Sequence, residues 1–357
     1  MGGKSRICKV TVYTVIACYR YIYKYNEPSP PSLTQQATRE DRVTLFQMPQ
    51  YTLLHTVASD MGNPDTMTCL VILALEAVAG LFSNFFIIFS LTGCKRSNIV
   101  TSNIILITLC ISNVFYTITV TANIVIRIMW LHVLRVTYVY KIISYMTVYT
   151  ITSSTWLTAS LCVFYFIKIV DIPSRVLAWM KKKIDAVVRG MILTAEIVSL
   201  CGSFLSLLIS SQLLAQQNSS LSAANVTLES PSLKFMSIVL ILNASPALVA
   251  ITAMAGSAGY LKLYDRQKKR NIATFCNNHV RDCHRAVHTM VYLIVLLILL
   301  ILVMVIVGLD VFAESSWEYW ICVMIHFSLV AVESAILIHG NPKLQQSLKQ
   351  ILSVLHV

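Results

Sequence analysis

The chain has 357 residues, of which 56% are hydrophobic and only 12% are charged, and its mean hydropathy is +0.70. Soluble domains carry about 25% charged residues, so this composition excludes an ordinary soluble protein and indicates that lipid is the solvent. The net charge of +12 comes from short Lys and Arg clusters between apolar runs, without the basic face that a nucleic-acid partner requires.

Residues 1–66 precede the first long apolar run and differ from the rest of the chain. Three prolines at positions 28 to 31 interrupt any helix there. We expect this extension to be disordered or to lie upstream of the natural start, for which Met61 and Met67 are candidates.

Seven stretches after this extension reach the length of about 20 apolar residues that a helix needs to cross a bilayer. The predicted fold class is therefore an all-α membrane protein, with a seven-helix bundle in residues 67–340 and a short tail at 341–357. The third stretch is the most polar, and its small hydroxyl residues between Thr147 and Thr158 suit a helix that is packed among other helices. The seven stretches are Met67–Leu91, Ile99–Ile126, Val136–Val170, Val187–Leu214, Lys234–Leu263, Val287–Phe312 and Trp317–His339.

Lys and Arg are concentrated in alternate loops, and this pattern sets the orientation in the membrane. The basic loops follow the first, third and fifth stretches, and the tail adds two more lysines. We therefore expect the N-terminus outside the cell and the C-terminus inside. Sequons at Asn218 and Asn225 fall in the loop that this orientation places outside, so we predict that both asparagines are glycosylated.

The spans contain no Ser-His-Asp, phosphate-loop or metal-binding pattern, so we predict neither catalysis nor a cofactor. Four zinc-type ligands do lie close together between the fifth and sixth stretches, at Cys276, His279, Cys283 and His284. Their spacing matches no zinc motif, and the neighbouring Arg281 opposes a cation. We expect free thiols or a palmitoylated cysteine there, and no metal.

Two motifs resemble those of the type 2 bitter taste receptors. Trp156–Ile169 is similar to the signature of the family's third helix, with one Thr and one Ala exchanged. Ser334–Leu344 is similar to the end of its seventh helix, and Glu76, Gly80 and Asn84 repeat its first-helix spacing.

This resemblance implies a G-protein-coupled receptor at the plasma membrane. An apolar or amphipathic small-molecule agonist would bind outside, and a heterotrimeric G protein would be activated inside. A vomeronasal type 1 pheromone receptor has a similar architecture and is the first alternative, although the Leu-Ile-x-Gly-Asn-x-Lys-Leu ending favours the bitter type. A transporter is the second alternative, but the repeated halves expected of one are not evident.

The resemblance also implies a polar switch, in which the helix face of Glu76 and Asn84 meets Ser112 and Asn113 on the second helix. The alternative is a static clamp, worth about 0.6 kcal/mol per hydrogen bond. Asn113 stands where the family has Arg, and Glu333 where it has His. Because the bundle then holds two acids and no evident base, we expect that one acid is protonated or that a sodium ion lies between them.

The agonist pocket implied by the resemblance lies in the exterior half of the second, third, fifth and seventh helices. Thr147 falls where many members of the family hold Trp, which implies a roomier pocket with less stacking. His326 is either a ligand contact or a histidine satisfied by its neighbours. The ligand-binding candidates are Asn123, Ile124, Tyr140, Ser144, Thr147, Val148, Ile151, Tyr319, Val323 and His326.

G-protein coupling is expected at the basic end of the bundle. The alternative is that these charges only enforce the orientation and bind anionic membrane lipid. The coupling candidates are Tyr165, Lys168, Arg266, Lys268 and Lys269.

Overall fold

The computed structural model describes residues 64–93, 101–129, 137–171, 174–219, 231–270, 277–309, 311–312 and 316–355, and every regular element in these ranges is an α-helix. In chain order the helices are α1 (Pro64–Thr92), α2 (Thr101–Met129), α3 (Thr137–Ile169), α4 (Arg175–Lys182), α5 (Ile184–Ser219), α6 (Pro231–Arg270), α7 (Asn277–Gly308), α8 (Trp317–Gly340) and α9 (Pro342–Leu355).

Seven of these helices are long and apolar enough to cross a membrane, namely α1, α2, α3, α5, α6, α7 and α8. They coincide with the seven predicted stretches, so the prediction of a multi-pass helical bundle is confirmed. Several extend beyond the predicted bounds. For example, α7 begins at Asn277, ten residues before the predicted Val287, because backbone hydrogen bonds continue into polar sequence that does not itself need lipid.

Two shorter helices, α4 and α9, were not predicted. The side chain of Ser174 caps α4 by accepting a hydrogen bond from the backbone N–H of Leu177 at 3.1 Å. α9 packs against α8 and α1, and its Leu344 is almost completely buried. We call the end of the bundle that carries these two helices the basic end, because α4 closes with Lys181 and Lys182.

α3 occupies the centre of the bundle, as its hydroxyl-rich sequence predicts. In its most apolar window 67% of the residues are buried, whereas the corresponding value for α1, α5, α7 and α8 is 28%. α3 packs against α2, α5, α6 and α7. Residues on these four helices are therefore within reach of α3 side chains.

Two of the apolar clusters in the described part of the chain lie on opposite sides of the middle of the bundle. Cluster A consists of Leu73, Ala77, Tyr116, Val120, Ile151, Phe327 and Val330. Cluster B is nearer the basic end and consists of Ile87, Leu91, Ile105, Leu106, Leu109, Cys110, Leu157, Leu161, Phe164, Val188, Ala195, Leu293, Leu337 and Leu344. On α2, α3 and α8, polar residues lie in the sequence between the members of the two clusters, and they form the polar layer described below.

α7 and α8 approach closely at the basic end. A Cβ atom at Gly340 would lie 2.5 Å from Oγ1 and 2.9 Å from Cγ2 of Thr289. A side chain at this position would force Thr289 or the two helices to shift, so the packing favours glycine there.

Candidate functional site

The candidate site is a polar layer in the middle of the bundle, and α3 supplies most of its hydroxyl groups. Consecutive residues of an α-helix point in directions about 100° apart, so neighbouring α3 side chains reach different helices. Four of them donate to side chains on four other helices: Ser153 to Glu196 of α5 at 2.9 Å, Ser154 to Asn113 of α2 at 2.7 Å, Thr155 to Asn243 of α6 at 3.0 Å and Thr158 to Glu333 of α8 at 2.7 Å.

Glu333 and Asn113, two of the predicted switch residues, are direct partners. Nδ2 of Asn113 donates to Oε2 of Glu333 at 2.9 Å, and Oε1 accepts from Thr158. Oδ1 of Asn113 accepts from Ser154, and the Asn113 side chain is fully buried. Asn113 therefore bridges α3 and α8, and within the described part of the chain Glu333 is held by neutral donors without a salt bridge.

Glu196 of α5 is a third intramembrane acid, which the sequence reasoning missed. Its Oε2 accepts from the Tyr149 hydroxyl at 2.7 Å and its Oε1 accepts from Ser153. The predicted switch residue Ser112 donates to Ser153 at 3.1 Å, so it is connected to Glu196 through one hydroxyl. The signal was available in the sequence, because an acid inside an apolar span is a functional candidate by default.

The polar residues of α1 do not make the predicted hydrogen bonds to α2. Asn84 is buried and donates to the carbonyl of Gly80 in its own helix at 2.8 Å. Oε2 of Glu76 and Oδ1 of Asn84 are buried and have no hydrogen-bond partner among the described residues. This face of α1 does pack on α2, since a Cβ at Gly80 would lie 3.9 Å from Thr117. The expected partners on α2 are instead engaged by α3 and α8.

Four ligand-binding candidates meet at cluster A. Ile151 belongs to the cluster, and Ile124 and Val323 pack against it. The ring of His326 lies edge-on to Tyr116, with the ring centroids 5.7 Å apart. Large side chains that the sequence reasoning did not select complete this region: Met304, Trp320, Met324 and Phe327.

The other ligand-binding candidates are more dispersed. The hydroxyl of Thr147 donates to the carbonyl of Ile143 at 2.8 Å, so it is satisfied within α3. The ring of Tyr319 lies edge-on to Trp320, with centroids 5.9 Å apart. Of the rest, Val148 is buried, Asn123 and Ser144 are half-buried, and the side chain of Tyr140 lies outside the described residues.

A cavity of about 400 Å³ opens at the basic end, between α2, α3, α7, α8 and α9. Two coupling candidates, Tyr165 and Lys168, line it, and Arg285 and Lys343 add further positive charge. The other coupling candidates lie on α6: Arg266 is exposed, and the side chains of Lys268 and Lys269 lie outside the described residues.

Three further predictions fall wholly or partly outside the described residues. The backbone of Asn218 lies in the last turn of α5, but its side chain is outside the described residues. Asn225 lies outside them entirely. Of the zinc-type cluster, Cys276 and the side chain of His279 are likewise outside.

Comparison with known proteins covers the whole bundle. The family described as "Taste receptor protein (TAS2R)" matches residues 61–356. The chain is 26% identical to taste receptor type 2 member 40 of Gallus gallus over 297 residues, which are 80% of this chain and 94% of that protein. It is 33% identical to taste receptor type 2 member 129 of Rattus norvegicus over 150 residues, 41% of this chain and 46% of that protein. It is 32% identical to taste receptor type 2 member 129 of Mus musculus over 126 residues, which are 34% of this chain and 39% of that protein.

Proposed function

Because the chain belongs to the taste receptor protein family (TAS2R) and is a bitter taste chemosensory receptor, we propose how its bundle performs that task. A small apolar or amphipathic molecule binds at cluster A, the polar layer exchanges hydrogen bonds, and a heterotrimeric G protein binds at the basic end. The observation that carries this proposal is the order of the three regions along α2, α3 and α8. Cluster A, the polar layer and the basic cavity follow one another on the same helices.

The agonist site is proposed in the half of the bundle that contains cluster A, on α2, α3, α6 and α8. Ile124, Ile151 and Val323 offer an apolar surface there, and methionine side chains adapt readily to varied shapes. His326 supplies a polar group at the edge of this surface. Such a combination suits molecules that are mainly apolar with one hydrogen-bonding group.

The switch is proposed at Glu333, Asn113 and Thr158, where α2, α3 and α8 share hydrogen bonds. A hydroxyl can turn to donate or accept, so Thr158 can keep a partner when α3 moves. A rotation of α3 would separate Ser154 from Asn113 and leave both needing new partners. The static clamp is the alternative, and it predicts that breaking these bonds lowers stability without altering signalling.

G-protein coupling is proposed at the cavity of the basic end. Its volume of about 400 Å³ can receive a protein segment, and Lys168, Arg285 and Lys343 attract an acidic one. We propose that this end faces the cytoplasm of a cell whose plasma membrane holds the receptor. The basic loops would then also contact anionic lipid, and Asn218 and Asn225 would carry glycans on the opposite side.

The test is calcium release in cells that express the full chain with a G protein and are exposed to a panel of bitter compounds. Truncating one of the few contact residues that carry most of the binding energy costs more than about 1 kcal/mol, and Ile151 is proposed to be one of them. Ile151→Ala should therefore raise the concentration of active compound needed for half response by about tenfold, because 1.4 kcal/mol corresponds to a factor of ten. Thr108→Ala is the matched control, since this hydroxyl bonds only within α2.

The coupling half of the proposal is tested with Lys168→Glu, which reverses one charge of the basic cavity. The variant should reach the cell surface and lose its calcium response. An unchanged response would contradict the proposed docking site, and compound-driven substrate flux without G-protein activation would favour a transporter.

A further inference from the structure

A second, smaller cavity lies beside the polar layer and touches cluster A. It measures about 40 Å³ and is lined by residues of α2, α3, α7 and α8. α7 contributes only leucines to this lining. The polar lining residues come from the other three helices: Tyr116, Ser154, Thr155, Thr158 and Glu333.

Three members of cluster A line this cavity, Tyr116, Ile151 and Val330, and of these three Tyr116 alone carries a polar side-chain group. Its side chain is 3% exposed, and its hydroxyl has no hydrogen-bond partner among the described residues. Burying an unpaired hydroxyl is unfavourable, and buried tyrosines usually find a partner. The ring lies edge-on to His326, and Tyr116 lines the cavity, so a molecule held there can supply the missing partner of the hydroxyl.

Water fits the size and the chemistry of this cavity. One water needs at least about 10–15 Å³ of such space, so about 40 Å³ holds two or three. A buried water typically makes about three hydrogen bonds. The carboxylate of Glu333 accepts only one bond at each oxygen from Asn113 and Thr158, and each oxygen can accept another.

We propose that this cavity binds ordered water through which the Tyr116 hydroxyl is hydrogen-bonded to the Glu333 carboxylate, so that Tyr116 connects cluster A to the polar layer. The connecting role rests on the proposed function, in which cluster A receives the agonist. Tyr116 is then a positioning residue, because it acts on the switch through water.

X-ray radiolysis of the purified full chain in lipid nanodiscs tests the water site without any agonist. Hydroxyl radicals formed from bound water label adjacent side chains, and mass spectrometry locates the label. After correction for the higher intrinsic reactivity of tyrosine toward hydroxyl radicals, Tyr116 should be labelled several times faster than Phe327, which is equally buried in cluster A but does not line the cavity. Equal labelling of these two residues in the unmodified chain would overturn the proposal.

Two further measurements identify the occupant. Leu300→Phe places a larger side chain against the cavity and should reduce labelling of Tyr116 to the level of Phe327; undiminished labelling in a folded variant would overturn the proposal. Replacing sodium by N-methylglucamine should leave the labelling of the unmodified chain unchanged. A change would indicate a bound cation and would overturn the assignment to water.

The connecting role is tested by basal G-protein activation in cells. Tyr116→Phe keeps the ring against His326 and removes the hydroxyl. Losing one net hydrogen bond should change basal activation about twofold to tenfold. Tyr145→Phe is the matched control, because this tyrosine stacks on Tyr149 and does not line the cavity. Equal activation in the two variants would overturn the connecting role. A receptor that responds to no bitter compound would instead contradict the proposed function. The radiolysis experiment would still test the water site, because it uses no agonist.

Discussion

Replacing Asn113 by alanine perturbs the polar layer where α2, α3 and α8 meet. The change removes one hydrogen bond to Glu333 and one from Ser154. An interhelical hydrogen bond in a membrane contributes about 0.6 kcal/mol, so the pair contributes about 1.2 kcal/mol. The Glu333 oxygen left without its donor costs about 1–3 kcal/mol more. We therefore expect a loss of about 2–4 kcal/mol.

The loss is measured as the thermal stability of the purified full chain, followed by the fraction that stays monodisperse after heating. At about 2–4 °C per kcal/mol, the midpoint should fall by about 5–15 °C. Asn113→Leu keeps the number of side-chain heavy atoms and the branch at Cγ but lacks both polar groups. It leaves no cavity, so an equal loss of stability in this variant would assign the loss to the hydrogen bonds. Thr108→Ala on the same helix should change the midpoint little. If Asn113→Ala behaves like Thr108→Ala, the bonding role of Asn113 is wrong.

Three further predictions concern other parts of the bundle. Glu196→Ala should lower stability by about 1–3 kcal/mol, because Tyr149 and Ser153 both lose their acceptor; Glu196→Gln, which keeps one amide oxygen, should lose less in the same heating assay. Gly340→Ala should cost about 1–3 kcal/mol through overpacking against Thr289, and adding Thr289→Ala should restore most of it; additive losses would contradict the close approach. Asn218→Gln and Asn225→Gln should each remove one glycosidase-sensitive mobility shift on a gel, and no shift in the unmodified chain would contradict the orientation.

The number and identity of the spanning helices follow from the sequence because lipid imposes a single requirement on each of them. Every backbone group must be paired within the segment, so an apolar run of sufficient length has only the helical solution. This requirement does not predict α4 and α9, because their 8 and 14 residues are too few to cross the membrane. α4 depends on a cap at Ser174, and α9 depends on burial of Leu344 against other helices.

The pairing of polar residues was harder to predict than their presence. Asn113 and Glu333 are 220 positions apart in the chain, and their contact depends on how α2 and α8 are rotated about their axes. A sequence shows that both helices carry a polar residue near mid-membrane, but the rotation is set by packing of the apolar clusters on either side. The predicted pairing of Glu76 with Ser112 and Asn113 is wrong for the same reason. In the structure Ser112 and Asn113 are bonded to residues of α3 and α8.

The arrangement of hydroxyls on α3 bears on the proposed switch, because neighbouring hydroxyls bond to different helices. Ser153, Ser154 and Thr155 are consecutive and bond to α5, α2 and α6. A turn of α3 about its axis therefore cannot break one of these contacts while leaving the others in place. Because each bond is weak, at about 0.6 kcal/mol, a ligand that rotates α3 must supply only a few kcal/mol to exchange all of them. Packed helices favour discrete arrangements over continuous ones, so under the proposed function the exchange occurs between two states. The agonist then has to bind one state more tightly than the other by those few kcal/mol to shift the balance.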